Sequence, residues 1–79
     1  MLRRFSRRWM VLNYAVNEPN QWTTVDIATD LGEPYKYINE ARTTLTRKGL
    51  VVLGEKVGRS RVLIPTPKGV ELFQRSLGK

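Results

Sequence analysis

The sequence predicts a mainly helical α+β domain of four helices and one β-hairpin, with its second and third helices joined by a tight turn. Three observations predict it. From Thr24 to Leu50, apolar residues recur at helical spacing, break at Gly32-Glu33-Pro34, and resume. After Gly49 the period changes, and Leu50-Val51-Val52-Leu53 reads as a strand. A polar stretch from Glu55 to Ser60, with a turn signal at Gly58, separates it from a return strand over Arg61 to Ile64.

Each element has its own signals. Leu2, Phe5, Trp9, Leu12 and Val16 step by three and four, which predicts a first helix over about 3–17; Met10 and Tyr14 form a narrower second row. Asn17-Glu18-Pro19-Asn20 stops it, since proline cannot continue a helix. Gln21 and Trp22 are open to a very short strand. Thr23 or Thr24 caps the second helix, Asp26 sits in its first turn near the positive dipole end, and Gly32 closes it. Val25, Ile27, Ala28 and Leu31 form its expected buried side. Pro34 suits the first turn of a third helix running to about 48, with Gly49 as terminator. Thr66 caps, and Pro67 opens, the last helix, whose inner face is Val70, Phe73 and Leu77. The layout is that of a winged helix-turn-helix: helix-turn-helix over 24–48, wing over 50–65, C-terminal helix over 67–77, in one domain spanning 1–79.

The bulk properties narrow the function. A chain of 79 residues without Cys has one small core and no disulfide to support it, which makes oligomerisation the expected source of extra buried area. Without His or Cys the usual zinc ligand sets are missing, and no metal or other cofactor is expected. The serines lack an evident base, and Asp26 and Asp30 make a poor metal pair, so no catalytic site is expected. The Trp9–Val16 run is too short to span a bilayer, which makes a cytoplasmic location, nucleoid-associated when bound to DNA, the expectation. The net charge of +7 is uneven: residues 1–35 balance, and the whole excess lies in 36–79. A clustered positive field favours a polyanionic partner.

The third helix carries the chemistry. At 100° per residue, Pro34, Ile38, Ala41 and Leu45 share one narrow side. Opposite stand Lys36, Glu40, Thr43 and Arg47, flanked by Asn39, Tyr37 and Thr44. Lys36 can donate to guanine or phosphate, Asn39 can pair bidentately with adenine, Thr43 offers a hydroxyl and a methyl, and Glu40 can accept from cytosine. Arg47, farther along, suits phosphate. An exposed polar face is ordinarily only solvated; the helix-turn-helix spacing and the adjacent basic hairpin, with Lys56, Arg59, Ser60 and Arg61, favour nucleic acid. Arg3, Arg4, Arg7 and Arg8 lie in two rows on the expected first helix, candidates for phosphate contact or for simple solvation. Trp9, Trp22 and Phe73 fit core packing better than base stacking. Met10, Tyr14 and Leu72 fall outside the main core faces and are candidate dimer contacts.

Ile27-Ala28, Leu31-Gly32, Ile38, Leu45 and Arg47-Lys48-Gly49-Leu50-Val51 resemble the DNA-binding domain of MarR-type and related archaeal winged-helix regulators. Thr66-Pro67-Lys68-Gly69 resembles the start of that family's following helix. The resemblance implies a homodimer on palindromic double-stranded DNA. It brings Pro34, Lys36, Tyr37, Asn39 and Glu40 to the major groove and the hairpin arginines to the flanking minor groove or its phosphates. Two positions depart from the pattern. Glu33 replaces an apolar turn residue, and Val57 stands where an Asp often holds the wing arginine, which leaves Arg59 and Arg61 both open as the principal wing contact. The family's ligand-binding and dimer helices are short here, so a phenolic-ligand pocket is not expected.

The leading expectation is a sequence-specific, dimeric DNA-binding transcriptional regulator acting as a repressor. The alternatives are a winged-helix protein-interaction module and a non-specific architectural nucleic-acid binder.

Overall fold

The computed structural model describes residues 2–78. Its elements are α1 (Arg7–Asn17), α2 (Thr24–Leu31), α3 (Tyr35–Arg47), β1 (Val51–Val57), β2 (Ser60–Pro65) and α4 (Pro67–Ser76). This is the winged helix-turn-helix layout, with four helices around a two-stranded antiparallel hairpin.

The first helix starts later than the apolar period predicts. Phe5 has a φ of 65°, and Ser6 is the N-cap, its hydroxyl accepting from the Trp9 amide at 3.2 Å. The cap satisfies an amide that an earlier start would spend differently, so Arg3 and Arg4 lie in a turn before the helix. Phe5, expected on the apolar row, is exposed, with its ring 4.8 Å from that of Trp9. The helix instead buries Trp9, Val11, Leu12 and Ala15. That stripe is wide because α1 packs against both α3 and α4.

Thr23 caps α2 through a reciprocal capping box with Asp26. Thr24 is buried there, and Val25, expected inside, is 43% exposed. Gly32 takes the left-handed conformation that ends α2, and Pro34 is the N-cap of α3 rather than its first helical residue. The C-terminus of α3 closes with a Schellman motif about Gly49: the Leu50 amide donates to Leu45 O at 2.9 Å and the Gly49 amide to Thr46 O at 3.0 Å. That bend feeds the chain directly into β1.

In the hairpin, Val51 pairs with Pro65 and Val57 with Ser60, leaving Gly58-Arg59 as a two-residue loop. Only Gly58 has a positive φ in that loop, the pattern of a type II′ turn. Between Leu53 and Lys56 the register slips by one residue on β1, a bulge that twists the wing. The short strand expected at Gln21-Trp22 reduces to a single bridge, Thr23 to Val62, flanked by amide bonds from Asn20 to Leu63 O and from Leu63 to Trp22 O.

The core is Leu12, Ile27, Ile38, Leu45, Val51, Leu63 and Phe73 with their neighbours. Helix α4 is fixed by Thr66, whose hydroxyl caps Gly69 N at 3.0 Å and donates to Gly49 O at 2.7 Å. Gly69 lies so close to Leu50 that a Cβ there would stand 2.0 Å from the Leu50 carbonyl oxygen. Leu77, expected on the inner face, is the C-cap of α4 and is exposed, while Leu72 packs against the core.

Candidate nucleic-acid interface

The 13 residues of α3 make a rod about 20 Å long, enough to lie in a major groove. Ile38, Ala41 and Leu45 are its buried side. Pro34, grouped with them in the sequence, is exposed at the cap. Lys36, Glu40 and Arg47 are exposed on the other side, and Asn39 and Thr43 are half-buried. Among the described residues, none of Lys36, Arg47, Lys56, Arg59 or Arg61 makes an ion pair.

The threonine hydroxyls are partly occupied. Thr43 donates to Asn39 O at 2.8 Å, and Thr44 to Glu40 O at 3.1 Å. Thr43 therefore keeps a lone pair and a methyl group for a partner, not a proton.

One edge of α3 faces the wing. Tyr35, Asn39 and Arg42 line a cleft of about 150 Å³ with Leu53, Arg59, Ser60 and Arg61 of the hairpin and Thr24 of α2. Arg59 occupies the loop, exposed; Arg61 is exposed on β2, directly across from Lys56. Ser60, expected as an open wing contact, is 9% exposed and forms cleft wall. Val57, in the expected Asp position, is exposed and holds neither arginine. Three guanidinium groups thus share a cleft whose lining contains no carboxylate. Arg42 and Tyr35 are absent from the residues picked out in the sequence. Their helical angle places them beside Asn39, but only the position of the wing turns that edge into part of a site.

The opposite edge of α3 faces α1. Arg7 pairs with Glu33 at 2.6 Å, and its guanidinium stacks 4.6 Å from the Tyr37 ring centre. The hydrogen-bonded Glu33 carboxylate holds Arg7 above its ordinary pKa. The charged turn residue is therefore a tie between α1 and the helix-turn-helix, and Arg7 is committed within the chain. Tyr37, expected at the groove, lies on this α1 side. Arg4 leans on the Phe5 ring at 5.5 Å. Arg3 and Arg8 line a small pocket with Lys48 and Thr44. The four arginines therefore do not form rows on one helix, and Lys48, named in the sequence only within the Arg47–Val51 motif, joins two of them.

The candidate dimer residues Met10, Tyr14 and Leu72 are all half-buried against the core. Tyr14 packs edge-on to Trp22 at 4.6 Å, and its hydroxyl donates to Asp30. Burial first, and that hydrogen bond second, push the phenol up to about 12. Glu18, Asp26 and Asp30 line an open groove beside Trp22 that shares no residue with the wing cleft. Among the described residues no cluster of acidic side chains is placed to hold a metal, and no helix is long and apolar enough to cross a membrane.

No protein-family model matches the sequence, and no curated protein matches it as a relative. The fold, however, is that of solved MarR-type winged-helix transcription regulators. The chain is similar to the PcaV transcriptional regulator of Streptomyces coelicolor, solved with its natural ligand, at 27% identity and a TM-score of 0.82, over 92% of this chain and 52% of that one. It is similar to MepR, a transcription regulator of the Staphylococcus aureus multidrug efflux pump MepA, at 20% identity and a TM-score of 0.80, over 92% and 55%. The S. aureus MepR–DNA complex matches at 21% identity and a TM-score of 0.71, over 87% and 52%. The chain spans about half the length of these structures.

Proposed function

We propose that this protein is a sequence-specific double-stranded DNA-binding transcriptional regulator, acting as a dimeric repressor. Helix α3 enters the major groove, and the wing lies on the flanking minor groove or its phosphates. The observation that carries this reading is the surface of α3. Lys36, Asn39, Thr43 and Arg47 all point away from the core, on a helix of groove-fitting length, with Arg59 and Arg61 beside its wing-facing edge. Lys36 and Asn39 suit base edges, while Arg47, Arg59 and Arg61 suit phosphate or the minor groove. The fold shared with DNA-binding regulators, one of them solved on DNA, supports the same conclusion.

Selection of bound duplexes from a random pool, repeated at two salt concentrations, tests it. The expected product is a palindromic consensus with half-sites about one helical turn apart, and an affinity that falls steeply with salt. Enrichment of no consensus, with equal affinity for all duplexes, contradicts sequence-specific reading and favours a non-specific architectural role.

A further inference from the structure

Asn39 cannot offer both ends of its amide at once. Its Oδ1 accepts from Arg42 Nη2 at 2.8 Å and lies 3.4 Å from the Tyr35 hydroxyl. A guanidinium carries donors only, so the amide atom that faces Arg42 is the oxygen. A carbonyl oxygen has two lone pairs, and two donors converge on this one. The Asn39 amide NH₂ donates to no other described side chain or backbone group. Arg42 itself is half-buried at the edge of α3 and lines the wing cleft, and among the described residues no carboxylate pairs with it.

We infer that Arg42 is a specificity-determining residue: by holding the Asn39 oxygen, it presents the amide as a donor alone and fits it to guanine rather than adenine. This rests on α3 reading a major groove, as proposed above. Adenine shows a donor beside an acceptor there, and a full match needs both a free amide oxygen and an amide N–H. With the oxygen occupied, the adenine amino group finds no acceptor on Asn39. Guanine shows two adjacent acceptors, N7 and O6, which an NH₂ group satisfies. Cytosine offers an amino donor, which again meets no acceptor. The guanidinium charge polarises the amide in the same sense, making its N–H groups better donors. The direct sequence reading, Asn39 with adenine, is thereby reversed by a residue one turn along the helix.

The test is duplex selection with the wild-type chain, Asn39→Ala and Arg42→Met, the last keeping an apolar stem without a donor. Asn39→Ala identifies the base position that Asn39 reads, by loss of preference there. Wild type is expected to select guanine at that position. Arg42→Met is expected to move that one position toward adenine, by on the order of ten-fold in relative affinity. In the free protein, Arg42→Met is also expected to shift the Asn39 side-chain amide resonances, a readout that needs no DNA.

Adenine at that position with wild type, or a guanine preference untouched by Arg42→Met, overturns the inference while leaving sequence-specific binding intact. So does a consensus in which Asn39→Ala loosens nothing. If wild type selects no consensus, it is the regulator reading that fails, and the base assignment falls with it.

Discussion

At the scale of the residue, a base reader and a phosphate contact differ in what their loss does. Lys36 is exposed in the first turn of α3, and Arg59 sits at the wing tip. Lys36→Ala is expected to weaken a selected duplex by about 1–3 kcal/mol while leaving random duplex nearly unchanged. Arg59→Ala is expected to weaken all duplexes alike and to flatten the log–log salt slope by about 0.9. Fluorescence anisotropy on both duplexes across a salt series measures the two. Equal losses on both duplexes for Lys36→Ala contradict its base-reading role.

Tyr14 supplies a residue-scale test unrelated to DNA. Its phenol is raised to about 12 by burial and by the hydrogen bond to Asp30. A pKa raised in the folded state means that the fold holds the proton more tightly than the unfolded chain does. The associated stability is fully present below about pH 10, the ordinary tyrosine value, and is lost as pH rises through about 12. Denaturant unfolding from pH 9 to 12 is expected to show this alkaline loss in the wild type and a smaller loss in Tyr14→Phe. Parallel curves for the two proteins contradict the assignment.

At the scale of the element, what the sequence made legible follows from how local each signal is. Capping residues act on their own turn, so Gly32, Gly49 and Thr66 were readable and stand at their expected boundaries, and of the two threonines left open for α2 it is Thr23 that caps. The start of α1 was not. A periodic apolar row running from Leu2 to Val16 competes with a serine cap at position 6, and the cap prevails. Val25 and Leu77 show the same limit, since helical spacing alone does not say where a neighbouring element stops covering a face. Gly69 was readable only as part of a motif; its reason is the 2.0 Å approach of a notional Cβ to the Leu50 carbonyl oxygen. Backbone cannot yield as a flexible side chain does. Gly69→Ala is therefore expected to cost about 3 kcal/mol, the upper end of the usual overpacking range, read as a lowered denaturation midpoint. A loss below about 0.5 kcal/mol, within the range of ordinary surface substitutions, contradicts the tight α4–Leu50 contact.

At the scale of the whole molecule, charge and shape coincide. Most of the basic excess of residues 36–79 falls on α3 with its C-cap and on the wing, while Glu18, Asp26 and Asp30 gather in a groove between the α1–α2 loop and α2. The outward set on α3 was legible from helical angle alone. The wing cleft was not, because it joins residues from α2, α3 and the hairpin whose meeting depends on tertiary packing. Arg7 belongs to the same class: a cation that looks available in the sequence is paired with Glu33 across the fold. The proposed dimer has a simple signature, since a single small core leaves much of its stability to association. The midpoint of thermal unfolding is expected to rise with protein concentration, and an invariant midpoint contradicts the dimer.

Residue-resolved NMR during titration with a selected duplex maps the face of the protein that meets DNA. The largest shifts are expected on Lys36, Asn39, Thr43 and Arg47 of α3 and on Arg59 and Arg61 of the wing, with the Glu18–Asp26–Asp30 groove unaffected. Shifts centred on that acidic groove, or none on α3 at concentrations where the duplex binds, would contradict α3 and the wing as that face.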